Sequence, residues 1–172
     1  AYQGAIFNFI DGLQSGVVRN QFNEQGVLYV GQTGRGWRSA GDKIFGLQTV
    51  RWDRQTTPVE MLSIGLTTRG FEIRFTQPMD VKALADASHY EIEHWHYLYR
   101  PEYGSPKADR TKVVPDRIEV THDGMRVHCH MPQLEGKVYQ FRLKGMQSRN
   151  GLSLTNPIGW YTLNKRRLSD LR

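Results

Sequence analysis

Four of the six histidines form pairs separated by one residue, His94 with His96 and His128 with His130. Side chains alternate along a β-strand, so both members of a pair lie on one strand face. If the two strands were neighbours, four imidazoles would converge, and imidazole is a ligand for zinc and copper. The competing interpretation is isolated histidines on exposed sheet faces. The sequence therefore assigns no metal site and keeps these four residues as candidates.

Two segments contain aromatic and guanidinium groups suited to carbohydrate, "GQTGRGWRS" and "HWHYLYRPEYGSP". Aromatic faces stack on sugar rings, and guanidinium groups donate paired hydrogen bonds to hydroxyls or carboxylates. The competing interpretation is structural, with the tryptophan at a domain junction and the tyrosines covering a sheet. The candidate sugar-binding residues are Arg35, Trp37, Arg38, Tyr97, Tyr99 and Tyr103.

The chain's one cysteine, Cys129, alternates with the apolar residues of "MRVHCHM" and is predicted to be a small core residue. The sequence contains neither a Gly-x-Ser-x-Gly motif nor a phosphate-binding P-loop. We therefore assign no catalytic residue. A single cysteine also permits no internal disulfide.

Short runs rich in Val, Ile, Tyr and Phe, separated by Gly, Pro, Asn and Asp, predict an all-β fold. In "GFEIRFT", Phe71, Ile73 and Phe75 alternate with Glu72 and Arg74, which is typical of a half-buried antiparallel strand. The segments "NEQGV", "HDGM" and "RNGL" predict hairpin turns. One short helix is expected in "DVKALAD", with Asp80 as its N-cap.

The polar segment "DRQTTPVE" separates two strand patterns and indicates a domain boundary. Residues 1–53 are predicted to be a propeller-blade-like antiparallel meander, and residues 54–58 a linker. Residues 59–164 are predicted to be an Ig-like β-sandwich of about seven strands. Residues 165–172 form a basic tail.

Composition excludes several classes of protein. Apolar residues make up 38% of the 172 residues and charged residues 23%, which is typical of a globular chain. The net charge of +6 comes from scattered basic residues, so no nucleic-acid partner is expected. No apolar run has the length of a membrane span. The first residues lack the pattern of a signal peptide, and the chain is expected to begin inside a domain.

The second half resembles the bacterial Ig-like domains of secreted proteins. Their pattern runs from a strand ending in Phe through a short helical turn and an Asp-Gly hairpin to "Y-x-F-x-L-x-G" and a Gly-Leu turn. The residues that match it are Phe75, Pro78, Asp80, Asp123, Gly124, Tyr139, Phe141, Leu143, Gly145, Gly151 and Leu152.

A second resemblance rests on "GLQSGVVRNQFNEQGVLYVGQTGRGWRSAGDKIFGLQTVRW" and "YLYRPEYGSPKAD". Both segments are similar to the C-terminal portion of sorbosone and glucose dehydrogenase-like β-propeller proteins. The resemblance implies that residues 1–53 are a last propeller blade. It implies pyrroloquinoline quinone, calcium and haem c as cofactors of the parent protein. None is assigned to this chain, because the other blades and a Cys-x-x-Cys-His motif are absent from it.

These observations lead to three hypotheses of function. The first is a non-catalytic structural or interaction portion of a secreted sugar-dehydrogenase-like protein, periplasmic or extracellular. Its partner would be the remainder of a β-propeller or a second copy of the chain. The second is a free-standing carbohydrate-binding module. The third is a metal-dependent oxidoreductase that uses the histidine face.

The blade is further expected to bury one apolar face against the Ig-like domain, with Trp37 and Trp52 near the junction. A single blade with two open edges is not expected to be stable alone. The residues expected on that face are Ile6, Phe7, Phe9, Val18, Phe22, Leu28, Val30 and Leu47.

Overall fold

The computed structural model describes residues 2–34 and 41–166 and is all-β, with three antiparallel sheets. The described residues fall into two compact units. One, the sandwich unit, consists of the residues up to Asn8 together with those from Thr57 onward. The other, the three-stranded unit, is Phe9–Thr56. The predicted all-β antiparallel fold is confirmed.

The sandwich unit contains a five-stranded and a four-stranded sheet. The five-stranded sheet has the order β1 (Gly4–Phe7), β12 (Ile158–Leu163), β11 (Lys137–Leu143), β7 (Tyr90–Tyr97) and β8 (Lys107–Val113). The four-stranded sheet has the order β5 (Met61–Leu66), β6 (Gly70–Phe75), β10 (Arg126–His130) and β9 (Arg117–Val120).

The two sheets enclose one apolar core. Phe71 of β6 lies at its centre, with ring centroids 4.8 Å from Tyr139, 5.2 Å from Phe141 and 5.3 Å from Tyr161. The alternation predicted for β6 is confirmed, since Phe71, Ile73 and Phe75 are all buried. Fully burying an aromatic or aliphatic side chain of this size contributes about 1.5–3 kcal/mol.

Cys129 is also part of this core, as its alternation in β10 predicts. The side chain is buried, and burial raises the pKa of its thiol to about 12. A thiol with so high a pKa is almost wholly protonated near neutrality, which makes it a poor nucleophile and a poor metal ligand.

Local sequence signals place the turns and the helix as expected. The helix α1 (Val81–Ala85) begins after Asp80, whose carboxylate accepts a hydrogen bond from the Lys82 amide at 2.8 Å. A 3₁₀ turn (Ala87–His89) follows it. In the β9–β10 hairpin, Gly124 has a φ of +72°, and a Cβ there would lie 2.6 Å from the Met79 carbonyl oxygen. Glycine is therefore required at this turn.

The first strand differs from the predicted domain boundary. β1 pairs with β12, with Ile6 opposite Trp160, and so completes the five-stranded sheet. The sandwich unit consequently has nine described strands instead of about seven, and the three-stranded unit begins at Phe9, whereas the blade was predicted from residue 1. The cause is a pairing between strands that are about 150 residues apart, which no local pattern encodes.

The three-stranded unit is a meander of β2 (Val17–Phe22), β3 (Leu28–Thr33) and β4 (Phe45–Val50). Its register separates the expected apolar residues. Val30 pairs with Gln48, whereas Leu47 pairs with Gly31 and so lies on the opposite face. Leu28 and Val30 are buried, but Phe22 and Leu47 are exposed. The expectation of a single apolar face is therefore wrong for Leu47.

Candidate functional site

The outer face of the four-stranded sheet carries the second histidine pair. Val127 and Cys129 of β10 point into the core. His128 and His130, which alternate with them along the strand, therefore point to the outer face of the sheet. Their ring centroids are 4.2 Å apart, with the ring planes inclined by 41°. A strict alternation of two apolar and two imidazole side chains is what holds the rings side by side.

A carboxylate from the neighbouring strand joins this pair. Glu119 of β9 lies directly opposite His128 in the antiparallel register. One ligand atom each of Glu119, His128 and His130 falls within 4.8 Å of the others. The Oε2 atom of Glu119 is 3.3 Å from the Nε2 atom of His130. We call these three residues the imidazole–carboxylate cluster.

Neighbouring side chains orient the cluster. The Thr67 hydroxyl oxygen is 2.6 Å from His128 Nε2. Gln133 in turn fixes the turn that carries Thr67, because its amide donates hydrogen bonds to the carbonyl oxygens of Thr67 at 2.8 Å and Gly70 at 2.7 Å. On the other side, the Arg117 guanidinium is 2.9 Å from Glu119 Oε1.

The electrostatics of the cluster favour a neutral imidazole at His128 beside an ionised carboxylate at Glu119. Burial is the main cause that lowers the pKa of His128, and the charge of nearby His130 adds to it. The hydrogen bond to His130 is the main cause that lowers the pKa of Glu119, followed among charges by Arg117. Neutral imidazole and ionised carboxylate are the forms that bind metal ions.

The first histidine pair lies elsewhere, which overturns the idea of four converging imidazoles. β7 belongs to the five-stranded sheet and β10 to the four-stranded sheet. His94 is buried with its ring 5.2 Å from that of Tyr139, and burial lowers its pKa. His96 Nδ1 is 3.0 Å from the Lys137 ammonium, whose charge opposes a metal ion at the same place.

The aromatic segment is only partly a surface. Trp95 is buried, with the Lys107 ammonium 3.9 Å from its ring centroid and the Tyr97 ring against it edge-on. Tyr97 is half-exposed at the end of β7, and Tyr99 and Tyr103 are exposed in the connection that follows. Strand β7 ends at Tyr97, so Tyr99 does not share a strand face with Trp95 and Tyr97. The other sugar-binding candidates, Arg35, Trp37 and Arg38, lie outside the described residues.

A groove of about 370 Å³ runs along the outer face of the five-stranded sheet. Two of its cations are paired with carboxylates in the groove. Arg110 donates from one nitrogen to both carboxylate oxygens of Glu93 at 2.8 Å, and Arg142 lies 3.5 Å from Glu91.

Glu119 is the member of the cluster that the sequence interpretation missed. It sits in the run "DRIEVTH", where Ile118 and Val120 point inward and Glu119 outward. Counting outward from the predicted turn at Asp123 and Gly124 places Glu119 opposite His128. The hairpin turn was therefore the signal that could have found it.

Comparison with known proteins identifies no family. No protein-family model and no curated protein matches the chain. Two solved structures are similar to it. The S-layer protein rSbsC(31-844) matches with a TM-score of 0.47 and 21% identity over 66% of this chain. The surface layer protein SbsC, domains 1–6, matches with a TM-score of 0.48 and 20% identity over 67%. The matched regions span 14% and 15% of those chains.

None of the helical segments in the described ranges has the length and apolar character that crossing a membrane requires.

Proposed function

We propose that the chain is a non-catalytic structural and interaction portion of a secreted, sugar-dehydrogenase-like protein, periplasmic or extracellular. In this proposal the three-stranded unit is the element that joins a larger sheet of the parent protein. The observation that carries the proposal is that this unit is a single sheet. One of its two faces, opposite the buried Leu28 and Val30, exposes apolar side chains.

That face is defined by the register of the meander. Tyr29, Leu47 and Phe45 alternate to the same side of β3 and β4, and 43%, 71% and 74% of their respective surfaces are exposed. We call these three residues the apolar face. Contiguous exposed apolar side chains on a sheet are typical of an interaction surface.

The edges of the sheet support the same conclusion. Within the described residues, β2 and β4 each pair on one side only, with β3 between them. An edge strand presents unpaired amide and carbonyl groups, on which a further strand can pair. We propose that a further antiparallel strand of a propeller-like sheet pairs with one of these edges. Such a strand would extend the same sheet that carries the apolar face.

Self-association of the purified chain tests this proposal. With no parent sheet present, a second copy is expected to cover the apolar face. We expect concentration-dependent association by sedimentation and binding of the dye 8-anilinonaphthalene-1-sulfonate. The double variant Phe45→Ser/Leu47→Ser should lose both. Leu62→Ser, which removes an exposed leucine from the sandwich unit, is the matched control.

A monomeric wild-type chain that binds no dye would overturn the proposed interaction surface. The proposal also predicts that the chain alone reduces no redox dye with aldose sugars, with or without added quinone and calcium. Dye reduction would favour an enzyme instead.

A carbohydrate-binding module is the second candidate, favoured by the exposed rings of Tyr97, Tyr99 and Tyr103. Aromatic rings presented to solvent are suited to stacking on sugars. Titration with soluble oligosaccharides should then quench tyrosine fluorescence, and Tyr99→Ala/Tyr103→Ala should abolish the effect. A wild-type chain that binds sugar while it remains monomeric would replace the first proposal with this one.

A further inference from the structure

We propose that Glu119, His128 and His130 form a binding site for a divalent transition-metal ion, with Zn²⁺ as the best-fitting ion. This inference is independent of the apolar face, since the imidazole–carboxylate cluster lies on the outer face of the four-stranded sheet of the sandwich unit.

The distances fit a metal ion with little movement. Ligand atoms bonded to zinc at about 2.0–2.2 Å in a tetrahedron lie roughly 3.4 Å from each other. The Glu119 Oε2 and His130 Nε2 atoms are already 3.3 Å apart. All three donors lie within 4.8 Å of one another, so a small rotation of side chains brings the third donor into place.

The donor set selects the class of ion. Two imidazole nitrogens and one carboxylate oxygen suit zinc and copper, whereas Ca²⁺ and Mg²⁺ prefer oxygen ligands alone. The surrounding charges point the same way. Arg117 pairs with Glu119, and Arg74 pairs with Glu72 beside His128, so no excess of negative charge attracts a hard cation. Affinity must come from the nitrogen ligands.

The cluster is also held on a rigid support. Glu119 and the two histidines lie on paired strands whose inward residues are in the apolar core. Ligands fixed by packed strands are positioned more precisely than ligands on loops. His130 Nε2 is buried and lies 3.3 Å from the Glu119 carboxylate, so a bound ion would replace this contact without any other partner having to be displaced from that nitrogen among the described residues.

Three protein ligands leave the fourth tetrahedral position to a water molecule. The carboxylate side of the cluster is open, because 43% of the Glu119 side chain is exposed. Sites of this kind, with three protein ligands and one open position, are the arrangement found in catalytic zinc centres, whereas purely structural sites are closed.

Calorimetric titration of the tag-free, metal-stripped chain with ZnCl₂ tests the site. We expect one ion per chain, and weakening by at least about tenfold in each of Glu119→Gln, His128→Ala and His130→Ala. His122→Ala and His96→Ala are matched controls, because they remove histidines outside the cluster. CaCl₂ and MgCl₂ should give no comparable binding.

Cobalt substitution gives a second readout. Co²⁺ bound to two imidazoles and a carboxylate in a tetrahedral site should produce visible absorption bands that vanish in His130→Ala. Thermal unfolding of each variant without metal controls for folding. Each variant should still unfold in one cooperative transition, because the substituted side chains lie outside the apolar core.

The proposal is overturned if Zn²⁺ does not bind, or if all three cluster variants bind it as the wild type does. Binding that is lost in His96→Ala or His122→Ala but kept in the cluster variants would also overturn it. If a cluster variant fails to fold, the cobalt spectrum of the wild type and the two remaining variants decide the question.

Discussion

The sandwich unit and the three-stranded unit fill their interiors with different proportions of apolar and polar side chains. In the sandwich unit, Phe71, Ile73 and Phe141 are fully buried between two sheets. In the three-stranded unit, Gln32 is buried beside Val30, and its amide donates to the Gln48 side-chain oxygen at 2.8 Å. The interior of the sandwich unit is closed by apolar packing, whereas the interior of the three-stranded unit combines the apolar side chains of Leu28 and Val30 with hydrogen-bonded amides.

The difference follows from the number of layers. Two sheets provide two apolar faces that cover each other, whereas one sheet of three strands has no second layer within its own unit. Its inward side is closed by Gln14 and Ser15, whose backbone amides donate to the side-chain oxygens of Gln48 and Gln32. The side chains of the opposite side, which is the apolar face, stay exposed, and the proposed interaction surface therefore lies there.

The largest test of this comparison is a matched pair of truncations. Phe71→Ala should cost about 3–5 kcal/mol of unfolding free energy, because it leaves a cavity among three aromatic rings. Leu47→Ala should change the free energy by less than about 0.5 kcal/mol, because its side chain is exposed. Denaturant unfolding of the monomeric chain measures both. Similar losses at the two positions would break the comparison.

Local sequence patterns were sufficient to predict much of the structure of the sandwich unit. Alternation placed Phe71 and Cys129 inside, and N-capping chemistry placed the helix after Asp80. The Asp-Gly pair predicted the β9–β10 hairpin at Gly124. Each of these features depends on residues within a few positions of one another, which is the range that sequence patterns report.

Features that depend on distant pairing could not be predicted. β1 joins β12 from the other end of the chain. The two histidine pairs look alike in sequence, yet they lie on different sheets, and of the first pair only His94 is buried. Asp109 adopts a φ of +52° where the register of β7 and β8 shifts, so the strand pairing there is irregular. Such irregularities depend on the tertiary fit.

The second test asks whether the buried amides stabilise the three-stranded unit. Gln32→Ala removes the acceptor of the Ser15 amide and the partner of Gln48. Loss of a buried hydrogen-bond partner costs about 1–3 kcal/mol. Hydrogen exchange at the Val30 amide should speed up accordingly, while exchange at Ile73 in the sandwich unit stays unchanged. Unchanged protection at Val30 would show that the amides are not what closes this unit.

The third test measures whether water reaches the Cys129 thiol in the sandwich interior. The pKa of Cys129 is raised from 9.0 to about 12 by burial, so between these values the unfolded chain loses the thiol proton and the folded chain keeps it. The folded state then binds more protons, and its stability falls as pH rises. Over one pH unit in this window the loss approaches about 1.4 kcal/mol.

Cys129→Ala is the variant that isolates this effect. The difference in unfolding free energy between wild type and variant should be constant below about pH 8, one unit under the unfolded pKa, and should shrink, in favour of the variant, as the pH rises through 9.0 toward about 12. All other titrating groups are shared by the two proteins. A difference that does not depend on pH would mean that water reaches the thiol.

The smallest test concerns the two hydrogen bonds of the Tyr139 hydroxyl in the sandwich unit. The Tyr139 hydroxyl donates to the Pro132 carbonyl oxygen at 3.1 Å and accepts from the Leu134 amide at 2.8 Å. Tyr139→Phe keeps the ring contacts with Phe71 and His94 but leaves both backbone groups without this partner. We expect a loss of about 1 kcal/mol. Tyr99→Phe, at a fully exposed position, should leave stability unchanged. The hydrogen bonds of Tyr139 lie at the margin of an apolar core, whereas the Gln32 amide belongs to the interior of its unit. Tyr139→Phe should therefore lower the unfolding free energy by less than Gln32→Ala does. A larger loss for Tyr139→Phe would mean that the sandwich unit, too, depends on buried polar contacts.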